Sequence, residues 1–120
     1  MILAPLVGTA FLIAVATDPL NDSTAAASLS PQQKFAKTEP LVRSATDCIV
    51  RAVAADPRYA TAQLGDLIVN SMPSCLAPVR AMIDAYDRYY GEGMGEAFFM
   101  GLYLDVLPKA VNAGAKQQRQ

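Results

Sequence analysis

The apolar residues that follow Pro78 recur every three or four positions, which is the spacing of one face of an α-helix. This face contains Val79, Met82, Ile83, Tyr86 and either Tyr89 or Tyr90, and the residues between them are charged: Arg80, Asp84, Asp87 and Arg88. No stretch of the chain shows the strict apolar-polar alternation typical of a half-buried strand. The sequence therefore predicts an all-α fold.

Capping residues and prolines predict where the earlier helices begin and end. The run Ser30-Pro31-Gln32-Gln33 resembles a capping box and predicts the start of a short helix, and Thr38-Glu39-Pro40 predicts a second start. Helical spacing resumes at Leu41. Asp56-Pro57 is predicted to end this helix and to cap the next one, which Pro73 stops.

Glycine and proline divide the last third of the chain. Gly91 is a natural end for the helix that follows Pro78. A further helix is expected from about Gly95 to Val106, with Pro108 interrupting it and a short turn continuing to Asn112. Residues 113–120 read as a frayed polar tail. We therefore expect residues 30–112 to form a single domain, a small bundle of four or five helices.

An uncharged, apolar run occupies residues 2–16. As a helix it spans roughly 22 Å, which is short against the about 30 Å of a bilayer's hydrocarbon core. Its end, Ala14-Val15-Ala16, has the small-x-small form of a signal-peptidase site, and Ala25-Ala26-Ala27 offers a second site. We interpret residues 1–16 as a signal peptide that is cleaved after residue 16 or 27, and residues 17–29 as a flexible linker or processing region.

Two observations leave alternatives to this leader open. The segment before the apolar run has no Lys or Arg, whereas the first part of a signal peptide normally carries one. The run also has no polar face, so a buried helix of the fold or an uncleaved membrane anchor would have the same composition. We expect an exported protein, periplasmic or secreted, and a membrane-anchored one if the leader is retained.

Cys48 and Cys75 are the two cysteines of the chain. In an exported protein an even number of cysteines without metal-ligand spacing predicts a disulfide. This disulfide closes a loop of 28 residues, counted from Cys48 through Cys75, and stabilises the fold by roughly 3 kcal/mol through chain entropy. It would tie the second half of the first long helix to the entrance of the third. In a cytosolic protein the same residues would be buried free thiols.

The residue content argues against several functions. The chain has no His, which excludes a Ser-His-Asp triad, a Cys-His pair and imidazole-ligated zinc or haem. Lys and Arg number 10 against 11 Asp and Glu, too little positive charge for a nucleic-acid footprint. Gly91-Glu92-Gly93-Met94-Gly95 lacks the lysine of a phosphate-binding loop and follows a helix. We expect no cofactor, no metal and no nucleic-acid partner.

Aromatic and acidic residues are concentrated between residues 86 and 105. Adjacent aromatic pairs at 89–90 and 98–99 give this segment more rings than one inward stripe needs, so part of the cluster is expected at the surface. The candidate binding surface consists of Tyr86, Tyr89, Tyr90, Glu92, Glu96, Phe98, Phe99 and Tyr103. The alternative is that these aromatic residues belong to the core and that the carboxylates lie on solvated helix faces.

These features favour a small exported helical protein that binds another protein of the cell envelope, as an inhibitor, an immunity-like protein or an accessory subunit. Catalysis is less expected than binding, and no catalytic residue is assigned. One alternative is a carboxylate-based hydrolase of a cell-wall sugar with Glu92 or Glu96 as the acid. Another is a structural protein tethered to the membrane by residues 2–16. The sequence leaves the oligomeric state open.

Overall fold

A computed structural model describes residues 28–120 of the chain. The leader, both cleavage sites and most of the linker that the sequence predicts lie outside the described residues. Within residues 28–120 the chain is all-helical, as predicted, but three long helices carry its core, instead of the predicted bundle of four or five. The first long helix is α1 (Pro31–Ala55), and a short helix, α2 (Leu64–Ser71), follows it. The second long helix is α3 (Leu76–Tyr90).

The third long helix is continuous but changes its winding. It consists of α4 (Met94–Phe98), a π-helical turn (Phe99–Tyr103) and α5 (Leu104–Arg119). A turn of 3₁₀ helix, Met72–Cys75, joins α2 to α3 and contains Pro73. No helix in the described part of the chain is both long and apolar enough to cross a membrane.

The predicted capping box at the start of α1 is confirmed. The Gln33 amide donates to Ser30 Oγ over 3.1 Å, and the Ser30 amide donates to Gln33 Oε1 over 2.8 Å. The predicted second start at Thr38-Glu39-Pro40 is wrong, because α1 runs through Pro40 without a break. Pro40 removes one backbone hydrogen bond to Ala36, which is exposed to water. Thr38, in the same turn, is 1% exposed and is hydrogen-bonded to Tyr86 of α3.

Asp56 ends α1 as predicted but does not cap the next helix. Its carboxylate accepts hydrogen bonds from the Arg58 amide over 2.8 Å and from the Arg58 guanidinium over 2.9 Å, so it closes a local turn. The side-chain hydrogen bond from Arg58 lowers the pKa of Asp56. Consequently Tyr59 and Ala60, predicted to lie on the second helix, are in the turn, and α2 begins only at Leu64.

Contacts along α1 give the direction of the other long helices. α3 is antiparallel to α1, because its first turn lies beside Cys48 and its last residue, Tyr90, lies beside Lys34. The third long helix is parallel to α1, because Tyr103 is bonded to Thr46 and Arg119 lies near the end of α1. The described chain is therefore an up-down-up bundle with α1 in contact with each of the other long helices.

The core lies where the long helices meet. α1 contributes Ala45, Ile49 and Val53, all fully buried, and α3 contributes Met82. From the third long helix, residues at intervals of four enter the same core: Leu107, Val111 and Ala115.

The predicted interruption at Pro108 and the predicted frayed tail are both wrong. α5 continues through Pro108 to Arg119, and its last two turns are packed rather than frayed. Gly114 lies against Val50, and the Arg119 guanidinium donates to the Ala54 carbonyl over 2.6 Å and lies 4.4 Å from the centre of the Tyr59 ring. These contacts outweigh the backbone hydrogen bond that the proline removes.

The predicted disulfide is confirmed. Cys48 and Cys75 are bonded with their Cα atoms 5.8 Å apart, and Cys75 is fully buried. The bond links the second half of α1 to the residue before α3, as the sequence suggested. It therefore closes the segment that contains α2, whose short length gives it little helical stability of its own.

We expect removal of this disulfide to lower the free energy of unfolding by about 3 kcal/mol, because the unfolded chain regains the freedom of the closed loop. The measurement is denaturant unfolding of the protein before and after reduction. The double variant Cys48→Ala/Cys75→Ala is the control, since it should have the stability of the reduced protein and not respond to reductant. An unfolding midpoint unchanged by reduction would contradict the prediction.

Candidate binding surface

Five aromatic rings from α3 and the third long helix form a continuous stack, here called the aromatic ladder. Its order is Tyr90, Tyr86, Phe98, Tyr103 and Phe99, with successive ring centres 5.0, 3.9, 5.6 and 5.8 Å apart. These spacings fall in or just below the range of favourable aromatic contacts, and the Tyr86–Phe98 pair is nearly parallel at 8°. The structure thus brings together five of the eight residues of the predicted binding surface.

The inner part of the ladder is anchored in the core by Tyr103, which is 2% exposed. Thr46 donates its hydroxyl proton to the Val42 carbonyl over 2.8 Å, so Tyr103 is the donor in its 2.9 Å hydrogen bond with Thr46 Oγ1. Burial raises the pKa of Tyr103. Tyr103 therefore supports the ladder from inside and is not available to a partner.

The outer end of the ladder reaches the surface. Tyr90 is 37% exposed, and its ring carries the Lys34 ammonium group 5.5 Å from its centre. The next ring, Tyr86, is half-buried, and this burial raises its pKa against the lowering effect of a hydrogen bond to Thr38. Met94, at the start of α4, is 46% exposed.

A glycine turn connects α3 to α4 beside this outer end. Gly91 and Gly93 have φ angles of +124° and +86°, which a residue with a side chain rarely adopts. Glu92 lies between them and is exposed, as is Glu96 on α4. We call the exposed residues of this turn and its flanks, Tyr90, Glu92, Met94 and Glu96, the corner.

Asp87 links α3 to the first turn of α4 beside the corner. Its Oδ1 accepts a hydrogen bond of 2.7 Å from the amide of Gly95, in the first turn of α4, so a carboxylate from α3 caps the next helix. Asp87 is one of the charged residues between the apolar positions of α3, where a solvent-facing side chain is expected, but it is half-buried. The sequence gives a partial indication of this role, because Asp87 lies one helical turn before the glycine that ends α3. It does not predict the path of the chain from Gly91 to Gly95, which brings the Gly95 amide to Asp87.

The remaining predicted residues are distributed around the corner. Tyr89 is half-buried outside the ladder, with the Arg88 guanidinium 6.0 Å from its ring centre. Phe98 and Phe99 are both partly buried against the core, although they are adjacent in sequence. Among residues 28–120, no group of three or more His, Cys, Asp or Glu side chains is placed to hold a metal ion.

A second surface feature lies along the first half of α3. An open, mainly apolar groove of about 480 Å³ runs between this helix, the 3₁₀ turn and the π-helical turn. It is lined by Met72, Leu76, Val79, Arg80, Ile83, Asp84 and Phe99. Of these residues only Phe99 belongs to the predicted surface. The sequence does not predict this groove, because its walls come from two turns that are far apart in the sequence, the 3₁₀ turn before α3 and the π-helical turn after α4.

No protein-family model matches this chain, and neither a curated protein nor a solved structure matches it.

We expect Gly95→Ala to destabilise the protein by about 1–3 kcal/mol, the usual cost of overpacking a tight contact. A Cβ atom on Gly95 would lie 2.1 Å from the Ile83 carbonyl oxygen, so α3 and α4 would have to separate. Thermal and denaturant unfolding measure this effect. The matched control is Gly65→Ala in α2, where a Cβ meets nothing within 4 Å and stability should be unchanged or slightly higher. Equal stabilities for the two variants would contradict the predicted close packing.

Proposed function

We propose that this is an exported, non-catalytic binding protein of the cell envelope, and that its corner contacts a partner protein. The observation that carries the proposal is the exposure of Tyr90 and Met94 at the outer end of the aromatic ladder. Tyr is among the residues that dominate binding energy at protein interfaces, and Met adapts its shape to an apolar partner.

The ladder behind Tyr90 supports a binding role in a second way. A side chain that is already stacked in the unbound protein loses less conformational freedom when a partner covers it, so less of the contact energy is spent on ordering. Tyr90 is held by Tyr86, which is in turn stacked on Phe98, and Tyr103 anchors the ladder in the buried core. The Tyr90 ring is therefore already ordered before a partner binds, although it is exposed at the corner.

Charge favours one kind of partner. Glu92 and Glu96 are exposed on either side of Met94 in the sequence, and the Lys34 ammonium group lies over the Tyr90 ring. A partner surface with an apolar centre and basic residues toward the two glutamates would complement this arrangement. Inhibitors, immunity-like proteins and accessory subunits remain the classes of protein that we favour.

Export is proposed from the sequence of residues 1–27. The apolar run, the small-x-small sites and a disulfide that suits an oxidising compartment are mutually compatible with a secreted or periplasmic protein.

We expect a photo-crosslinking amino acid placed at position 94 to form a defined adduct with one envelope protein in the native host. Once that protein is purified, Tyr90→Ser and Met94→Ser should each weaken its affinity at least roughly tenfold, as loss of an interface anchor does. Affinity is measured by titration calorimetry, and unchanged unfolding curves show that the variants remain folded.

The matched control for this experiment is Val69, which is 67% exposed on α2, away from the corner. A crosslinker at position 69 should not give the same adduct, and Val69→Ser should not change the affinity. The same adduct from both positions, or full affinity in the Tyr90 and Met94 variants, would refute the corner as the binding surface.

We also expect protein recovered from the soluble envelope fraction of its host to lack the first 16 or 27 residues. Its two cysteines should react with an alkylating reagent only after reduction. Intact mass spectrometry with and without reductant measures both properties. A full-length mass with free thiols in the cytosolic or membrane fraction would refute export while leaving the proposed role of the corner open to its own test.

A further inference from the structure

Two opposite charges lie one helical turn apart at the groove of α3. Arg80 and Asp84 are both exposed and both line the groove. Neither of these two side chains forms an ion pair with another residue among residues 28–120. A basic residue four positions before an acidic one is also the less favourable order for a pair within a helix.

This arrangement is complementary to itself. When two copies of a helix pack antiparallel about a two-fold axis, residue i of one copy lies beside residue j of the other, and residue j beside residue i. With the axis at the level of Met82, midway between the two charges, Arg80 of each copy lies beside Asp84 of the other. Two intermolecular ion pairs then form from one pair of residues.

We propose that the occupant of the groove is a second copy of this chain, and that the protein is a homodimer formed by antiparallel contact between the two α3 helices. Exposed apolar surface supplies the attraction, since Leu76 is 54% exposed and the groove is otherwise lined mainly by Met72, Val79, Ile83 and Phe99. The charges supply the register, because sliding one helix by a turn places like charges side by side.

The residues of α3 leave room for such a contact. Ala77 is exposed and Ala81 is half-buried, and both stand on the solvent side of the helix near Arg80 and Asp84. Small side chains at these positions allow a second helix to approach closely. A basic amphipathic helix from another protein is the competing occupant, and its cations would be attracted by Asp84 but repelled by Arg80.

The proposed dimer contact is centred away from the corner. The centre of the groove and Tyr90 are about ten residues apart on α3, a distance of roughly 15 Å along the helix axis. With the axis at Met82, Tyr90 of one copy lies level with Ser74 of the other, so the end of the dimer contact borders the corner. The two proposals can fail independently.

Sedimentation equilibrium of the full oxidised chain tests the proposal. We expect a reversible change from one to two times the monomer mass with rising concentration. The variants Arg80→Asp and Asp84→Arg should each weaken self-association at least roughly tenfold, because each places like charges together across the axis in both ion pairs. Arg51→Asp, on the exposed side of α1, is the control and should associate like the unchanged protein.

Mixing the two weakened variants gives the decisive result. In a heterodimer of Arg80→Asp with Asp84→Arg, opposite charges meet at both positions, so the mixture should associate to within about threefold of the unchanged protein. The two-fold antiparallel register predicts both the loss in each variant and the recovery in the mixture, and a merely unfolded variant would not recover. A chain that stays monomeric up to about 1 mM, the weak limit of specific association, or a mixture that stays as weak as its components, would overturn the proposal.

Discussion

The packing of α1 is the constraint on which the rest of the structure depends. α3 lies antiparallel against α1, and α5 lies parallel to it. Ala45, Ile49 and Val53 are fully buried along α1, and a small residue at position 45 lets neighbouring helices come close. Without α1 continuous across Pro40 and up to Ala55, neither partner helix would have a complete surface to cover.

Helical periodicity predicted the parts of this fold that are set locally. The all-α class, the capping box at Ser30, the end of α3 at Gly91 and the disulfide are confirmed because each depends on residues that are close in sequence or on a cysteine pair without competitors. Breaks predicted from proline were less reliable. At each proline the free energy lost with one backbone hydrogen bond is smaller than the free energy gained from tertiary packing nearby. Near Pro40 this packing comes from Thr38, and after Pro108 it comes from Ala115 and Arg119.

The candidate surface was predicted in outline but not in geometry. Excess aromatic residues between 86 and 103 indicated that rings would meet, and they form the ladder. Which ring is buried could not be read from the sequence, because a π-helical turn between Phe98 and Leu104 changes the phase of the third helix. This turn lets Phe98 stack on Tyr86 while Phe99 stacks on Tyr103 and also lines the groove.

The two surfaces proposed for binding are held in place by different interactions on the same helix. At the start of α3 the Cys48–Cys75 bond fixes the helix to α1, so the position of the groove residues Leu76 and Val79 depends on that covalent link. At the end of α3 the corner is held by the hydrogen bond from Gly95 to Asp87 and by the Tyr86–Phe98 stack, neither of which involves a cysteine. Local opening affects first the part of a helix whose contacts are lost. Loss of the disulfide therefore loosens the groove residues at the start of α3, while the hydrogen bond and the ring stack at its end still hold the corner.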